Sequence, residues 1–337
     1  MNLAKYDRKR YIYGVSPIEY LSNLSEKLGG PNIYIKRDDK LNLSVGGNKV
    51  RKLEFLMADA VAQKADTIIT CGAVQSNHCA LTLAAAIKEK LKCQLILEER
   101  VANSYNLNAN GNNFLYRLMG VEDIYVVPGG SDMMAEMQKL AEKLKAKGRK
   151  PYIVPGGGSN SIGALGYLSC ALEILSQTFE MGINIDKIVV TSGSGGTHSG
   201  LLAGMVSANA NIPIIGIGVN KRKDEQRKIV WTKANEVAKT VGSINEVKYE
   251  DVIVFDDYIG EGYSIPTDAM IEAVRMLARE EAILLDPVYT GKSMSGLIDL
   301  VRKGYFKKNE NVLFIHTGGS SALYAYKDVL LKNEIEK

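Results

Sequence analysis

The sequence predicts an α/β protein built as two doubly wound units with open parallel sheets. Three observations carry that prediction. From Ala65 onward, short β-branched runs alternate with stretches of helical apolar periodicity. The alternation halts at the glycine-rich "PGGGSNSIGALGY" and then restarts. The strand-like runs end in glycine-rich or polar turns that lead into helices, as right-handed crossovers between parallel strands require.

Ahead of that series, "VRKLEFLMADAVA" reads as a helix with Leu53, Leu56, Met57 and Ala60 on its apolar side. "DTIITC" is then a strand, "SNHCALTLAAAIKEKL" a helix, "CQLILEE" a strand, "NNFLYRLMG" a helix and "DIYVVP" a strand. "SDMMAEMQKLAEKLKAKG" has Ser131 or Asp132 as N-cap, Met134, Met137, Leu140, Ala141 and Leu144 on one face, and Gly148 as its stop. "PYIVP" closes the first unit, and the boundary falls around residues 155–160. After it come a long helix near 161–179, "KIVVTSGSGG", a helix starting near His198, "IPIIGIGV", a basic helix, "VIVFDD", a helix, "AILLDPVYTG", a helix, "VLFIHTGG" and a last helix. The charge run "KRKDEQRK" reads as a solvated helix face.

Composition excludes several function classes. The net charge of +4 comes from 42 basic and 38 acidic residues, well mixed along the chain, so there is no phosphate-backbone footprint and no nucleic-acid partner is expected. The start "MNLAKYDRKRYIYG" lacks the apolar segment of a secretory signal, and no later apolar run reads as a bilayer span. A cytoplasmic protein with no membrane partner is expected. Cys71, Cys79, Cys93 and Cys170 show no CxxC spacing and read as reduced, buried thiols; His78 has no metal-like partner spacing, and no metal is expected.

In doubly wound sheets ligands sit beyond the carboxyl ends of the strands, so the informative residues lie there. In "TSGSGGTHSG", Gly193, Gly195 and Gly196 let backbone N–H groups converge at a helix N-terminus, with Ser194 and Thr197 adding hydroxyls. That is a cup for a phosphate monoester, with an unliganded tight turn as the competing reading. The dinucleotide fingerprint fails, because GxGxxG counted from Gly193 needs glycine where His198 stands, and no GK[ST] follows. In "CGAVQSNH", Gln75, Ser76, Asn77 and His78 crowd one helix start; a single N-cap needs fewer, and a carboxylate suits the array. In "SVGGNKVRKLEF", Lys49 follows two glycines that would let the chain approach a ligand closely. An amine held in a partly buried pocket loses hydration, its pKa falls, and it becomes nucleophilic toward an aldehyde; a surface lysine is the alternative.

A phosphate cup, a carboxylate cup and a lysine at strand ends are what a pyridoxal phosphate enzyme acting on an amino acid requires. "KRDDK", "GGNKVRKLEF", "GAVQSNH", "NNFLYRLMG", "GALGY", "SGSGGTHSG", "LDPVYTGKSMSGLIDL" and "HTGGSSALYAY" resemble, in order and across nearly the whole chain, the D-cysteine desulfhydrase and 1-aminocyclopropane-1-carboxylate (ACC) deaminase family. The resemblance implies a fold-type-II, tryptophan synthase β-like enzyme with pyridoxal 5′-phosphate as cofactor. It implies a large cofactor-binding domain of residues 1–50 and 160–337, a small α/β domain of residues 51–159, and a homodimer.

Residue by residue, it makes Lys49 the Schiff-base lysine and the base that takes the substrate's α-proton. Lys52 becomes a phosphate contact, and Ser194, Gly195, Gly196 and Thr197 the main phosphate cup. Ser76, Asn77 and His78 become the loop that grips the substrate carboxylate, with Asn77 also toward the ring's O3′. Tyr263 and Tyr289 match the two active-site tyrosines, with packing as their alternative role. ACC deaminases read "DPVYEGKS" and "HLGG", whereas this chain has Thr290 and Thr317 there, as desulfhydrases do. A hydroxyl at Thr317 leaves the pyridine nitrogen hydrogen-bonded and unprotonated, and Thr290 borders the substrate. That points to α,β-elimination of D-cysteine to pyruvate, hydrogen sulfide and ammonia.

The alternatives are L-cysteate sulfo-lyase, which needs extra cations for its sulfonate that the sequence does not locate, a desulfhydrase acting on L-cysteine, ACC deaminase, and a non-catalytic pyridoxal phosphate protein. A nicotinamide oxidoreductase ranks lower for want of the fingerprint. "PGGGSNSIGALGY" and "KLNLSVGGNK" depart from the family's usual wording, and both border the expected site.

Overall fold

The computed structural model describes residues 1–332. The chain begins with β1 (Ile18–Tyr20), α1 (Ser22–Leu28), β2 (Asn32–Lys36) and α2 (Lys49–Ala62). It continues through β3 (Thr67–Ala73), α3 (Asn77–Lys88), β4 (Lys92–Glu99), α4 (Gly111–Leu118), β5 (Asp123–Pro128), α5 (Met133–Lys145) and β6 (Pro151–Val154). Then follow α6 (Ser161–Met181), β7 (Lys187–Ser192), α7 (Gly196–Ser207), β8 (Ile214–Gly218), α8 (Lys223–Thr240) and β9 (Ile253–Phe255). The last elements are α9 (Asp268–Glu281), α10 (Thr290–Arg302), β10 (Asn311–Ile315) and α11 (Lys327–Leu330).

These strands make two sheets, ordered β5-β4-β3-β6 and β1-β2-β10-β7-β8-β9. Every pairing is parallel except that of the edge strand β1 with β2, so the larger sheet is mixed where an all-parallel one is expected. β10 lies between β2 and β7, which joins the two ends of the chain in one sheet. Side-chain alternation along β7 divides the core. Ile188 and Val190 face one apolar cluster, packed under α6 and α7, and Val189 faces the other, under α9 and α10.

Most predicted elements form as read, and the differences have local causes. Asp132, not Ser131, caps α5 by accepting from the N–H groups of Met134 and Ala135. Met137, Leu140, Ala141 and Leu144 are buried, but Met134 is 42% exposed at the first turn. α7 begins at Gly196, earlier than expected, because Gly195 takes a left-handed conformation and starts the helix there. "AILL" joins no sheet; His316 Nε2, just past the carboxyl end of the central strand β10, lies 3.0 Å from Leu284 O and holds the segment there. The last helix is mostly a 3₁₀ run, Ser320–Tyr326. In "KRKDEQRK" the face is solvated apart from Gln226, which is buried and donates to Ser192 Oγ at 2.8 Å. α6, at 21 residues, is long and apolar enough by composition to cross a membrane, contrary to the sequence reading. Its apolar circumference packs instead, with Ala164, Leu165, Tyr167, Leu168 and Ile174 buried. The four cysteines are free and buried.

The cations behind Gly46 and Gly47 are not a solvated face. Arg51 is fully buried in α2, with Nε donating to Asp38 Oδ2 at 2.8 Å and Nη2 to Asp38 Oδ1 at 2.8 Å. Its Nη1 donates to Glu173 Oε2 at 2.8 Å, and Tyr167 and Lys36 close the network on Asp38 and Glu173. The paired cations hold the Asp38 carboxyl down at about 2 against its burial. One buried guanidinium thus ties β2, α2 and α6 together.

Replacing Arg51 with Met is expected to destabilise the fold by about 3–5 kcal/mol, because Asp38 and Glu173 are left as buried charges without their main partner. Urea denaturation of the variant, read against the wild type, checks this.

Candidate active site

The carboxyl ends of β3, β7 and β10 open onto a cavity of about 450 Å³ between the two sheets. Lys49 is the first residue of α2 and lines it. Gly47 sets its position: at φ +123°, a Cβ there would lie 2.9 Å from both Thr317 O and Asn77 Nδ2. Gly47 therefore admits the loop after β10, and Gly46, where a Cβ would meet Asp39 O and Leu41 O, admits the turn after β2; neither makes room for a ligand, which corrects the sequence reading. Asn48 then fixes the lysine from both ends, donating through its backbone N–H to Thr317 O at 3.0 Å and accepting from Lys49 Nζ at Oδ1, 2.9 Å away. Its Nδ2 donates to Thr197 Oγ1 at 2.9 Å, which links the lysine to the glycine cup.

Burial lowers the Lys49 amine to about 8, against the pull of nearby Asp286. Asp286 does not form an ion pair with it. Its Oδ1 accepts from Thr290 N and Thr290 Oγ1, and its Oδ2 from Val288 N and Tyr289 N. The amine is thus set to lose its proton near neutral pH while a single fixed anion stands by.

The cup forms as the sequence suggests and has walls the sequence did not show. Ser194, Gly195 and Thr197 line the cavity, and Gly196 opens α7 behind them. A Cβ at Gly196 would lie 2.6 Å from Ser159 Oγ and 3.0 Å from Lys52 Nζ, so the turn admits no side chain. Ser159 and Ser194 share a hydrogen bond at 2.7 Å. Lys52 is buried, donates to Gly157 O at 3.0 Å, and is held well below its ordinary pKa by burial and by Lys49 and Lys233. Lys233 donates to Ser159 O at 2.6 Å. Two lysines held close together without an acid are stabilised by an anion between the helix N-terminus and themselves.

On the opposite wall, Ser76 caps α3, its Oγ accepting from Cys79 N at 3.2 Å, and also lines the cavity. Asn77 lines it too, and its buried Oδ1 has no hydrogen-bond partner among the described residues. Such an orphan is costly unless a ligand satisfies it. His78 reaches the cavity wall, but its ring is committed to Thr70 Oγ1 at 2.8 Å, and burial keeps it neutral. Tyr263 and Tyr289 meet hydroxyl to hydroxyl, rings edge to face at 5.6 Å, and the Lys49 amine lies 6.0 Å from the Tyr289 ring centre. Burial raises both phenols. Thr317 lines the cavity. Thr290 does not: its hydroxyl is turned onto Asp286, so the expected substrate contact is corrected to a support for the Asp286 turn.

The sequence reading missed Asn48, Ser159, Lys233, Asp286 and Arg100. Asn48, Ser159 and Asp286 stood inside "GGNK", "PGGGSNSIGALGY" and "LDPVYTG" and could have been found there. Lys233 and Arg100 come from other elements and carried no spacing signal.

Cup, buried amine and orphaned amide fit one cofactor, and comparison with known proteins names it. The family model described as pyridoxal-phosphate dependent enzyme matches residues 9–318. The chain belongs to that family. Its cofactor is pyridoxal 5′-phosphate, and its fold is the fold-type-II architecture, with two parallel-sheet domains. The chain is similar to a solved structure of an ACC deaminase homologue, 40% identical, with a TM-score of 0.89 over 98% of this chain and 97% of that one. It shares the fold of threonine deaminase isoform 2 from Solanum lycopersicum, 18% identical, TM-score 0.68, over 97% and 85% of the two chains. A pyridoxal 5′-phosphate-dependent aspartate racemase shares it too, at 15% identity and TM-score 0.63, over 90% of each chain.

Ser194, Gly195, Gly196 and Thr197 are the residues that would hold the cofactor's phosphate, and Lys49 is the amine that would meet its aldehyde. Uptake of pyridoxal phosphate by the apoprotein should accelerate as pH rises through about 8, since only the neutral Lys49 amine attacks the aldehyde; stopped-flow absorbance against pH reads this directly. Gly196→Ala should raise the cofactor's dissociation constant on the order of tenfold or more by pushing Ser159 and Lys52 into the cup, measured by equilibrium titration of the apoprotein.

Proposed function

We propose that this enzyme catalyses α,β-elimination on a thiol amino acid, with D-cysteine as substrate and pyruvate, hydrogen sulfide and ammonia as products. Bound pyridoxal phosphate supplies the electron sink that stabilises negative charge at the substrate's Cα. The chain's own residues do the rest. The Ser76 hydroxyl and the α3 N-terminus receive the substrate carboxylate and turn Cα–H toward Lys49. Lys49, whose amine burial brings down to about 8, takes the α-proton in its neutral form. As the Cβ–S bond breaks, the Tyr263–Tyr289 pair delivers a proton to the departing sulfur, and Lys49 is the route by which the α-proton is returned to solvent. The 2-aminoacrylate released is hydrolysed by water to pyruvate and ammonia.

One observation carries the choice of elimination over ring opening. The only carboxylates lining the cavity among the described residues are Glu98 and Asp286, and Asp286 is fully engaged by the turn at Thr290. Thr317 also lines the cavity, and a hydroxyl there would hydrogen-bond the ring nitrogen without protonating it. A ring nitrogen with a hydroxyl for company is a weaker sink, sufficient to expel a thiolate. The end-to-end similarity to an ACC deaminase homologue supports the family setting and leaves the substrate to the site.

Purified protein loaded with pyridoxal phosphate is expected to release sulfide and pyruvate in equal amounts from D-cysteine, faster than from L-cysteine and with no ammonia from ACC. Lys49→Ala should lower turnover by at least about 10³-fold, since it removes the base as well as the cofactor's anchor. Absence of sulfide from D-cysteine refutes the assignment.

A further inference from the structure

We propose that Arg100, together with Met133, Met134 and Met137, forms a side-chain subsite that, besides the thiol of D-cysteine, binds amino acids whose β-substituent ends in an anion. The inference rests on the reading of the cavity as a pyridoxal phosphate site for amino acids, and it adds what the substrate carries beyond its α-carboxylate. Arg100 follows β4 and comes from the smaller sheet's side of the cavity, which it lines. Its guanidinium stacks on the Tyr263 ring, 4.0 Å from the ring centre, whereas the Lys49 amine lies 6.0 Å from the ring centre of Tyr289, so the two cations meet different rings of the tyrosine pair. A substrate held at Cα beside Lys49, with its side chain running along the tyrosines, ends at this cation.

The guanidinium is held from one edge only. Nε donates to Glu98 Oε2 at 2.6 Å, and Glu98 is itself pinned by accepting from Gly130 N at 3.0 Å. No acceptor among the described residues takes the Nη1 or Nη2 hydrogens. The arginine is therefore oriented by Glu98 and Tyr263 with a planar donor edge to spare, the geometry that meets a carboxylate or sulfonate through paired N–H groups. The other cation at the rim, Lys221, is paired with Glu225. Met133, Met134 and Met137, from the first turns of α5, supply the adaptable apolar wall beside it. The phosphate cup and the α3 N-terminus have their own anions to bind, so Arg100 is free to meet an anion on the side chain, which widens the substrate class beyond the thiol of D-cysteine. This is the cation that the sequence left unlocated for a sulfonate.

The test uses the full-length holoenzyme and follows the cofactor's visible band while D- and L-alanine, aspartate and cysteate are added. Aspartate and cysteate of one hand are expected to bind at least tenfold more tightly than alanine of the same hand. Arg100→Gln should abolish that difference while leaving the alanine constant within twofold, and Arg100→Lys, which keeps the charge without the fork, should retain part of it. Equal constants for acidic and neutral amino acids in the wild type, or an unchanged preference in R100Q, overturns the subsite alone. A protein that takes up no pyridoxal phosphate, or whose band answers to no amino acid, overturns the amino-acid site and this inference with it. Coincident melting curves of wild type and R100Q confirm that the comparison is between folded proteins.

Discussion

The structure depends first on the buried pairing of Arg51 with Asp38 and Glu173. A guanidinium taken wholly out of water must have its donors satisfied, and here they are met from the turn after β2 and from α6 at once. α2 therefore has one permitted position, and Lys49 is its first residue. A less constrained helix start would let the amine swing into solvent, where it would regain its hydration and its ordinary pKa. Precision at the site follows from a structural charge that never touches the ligand.

The site balances opposite tendencies. Burial lowers the Lys49 amine to about 8, while Asp286 stays close enough to oppose that effect without pairing with it, because its oxygens are occupied by the α10 turn. Lys52 and Lys233 crowd the glycine cup, where burial lowers both amines and only Glu236 opposes this at Lys233, so an anion between them is favoured. At the other end the two tyrosines share one hydrogen bond beneath Arg100. Cations thus mark both ends of the cavity, with neutral and polar groups between.

Neither sheet holds the site alone. Ser76 and Asn77 belong to the β3–α3 turn of the smaller sheet, Ser194 to Thr197 to the β7–α7 turn of the larger one, and Thr317 to the end of β10. Asn48 bridges them, bonded to Thr317 and Thr197 while it holds Lys49. Any relative movement of the sheets alters the distance between the carboxylate-receiving turn and the lysine, which makes the cavity's geometry a property of the interface.

Period-two and helical apolar patterns, with glycines at strand ends, determined by themselves the α/β class, the alternation of elements, the cup at Gly193–Thr197 and the lysine after "GGN". Such patterns are local, and the physics that reads them, side-chain periodicity and backbone freedom, is local as well. Only the tertiary structure decided that Thr290 serves Asp286, that His78 is committed to Thr70, that Gly47 makes room for Thr317 and that Arg51 is buried while Arg100 faces the cavity. Which of two arginines becomes a structural ion and which is left with a free donor edge depends on acceptors brought from distant parts of the chain, such as Glu173 for Arg51, and spacing along a sequence does not encode where those acceptors arrive.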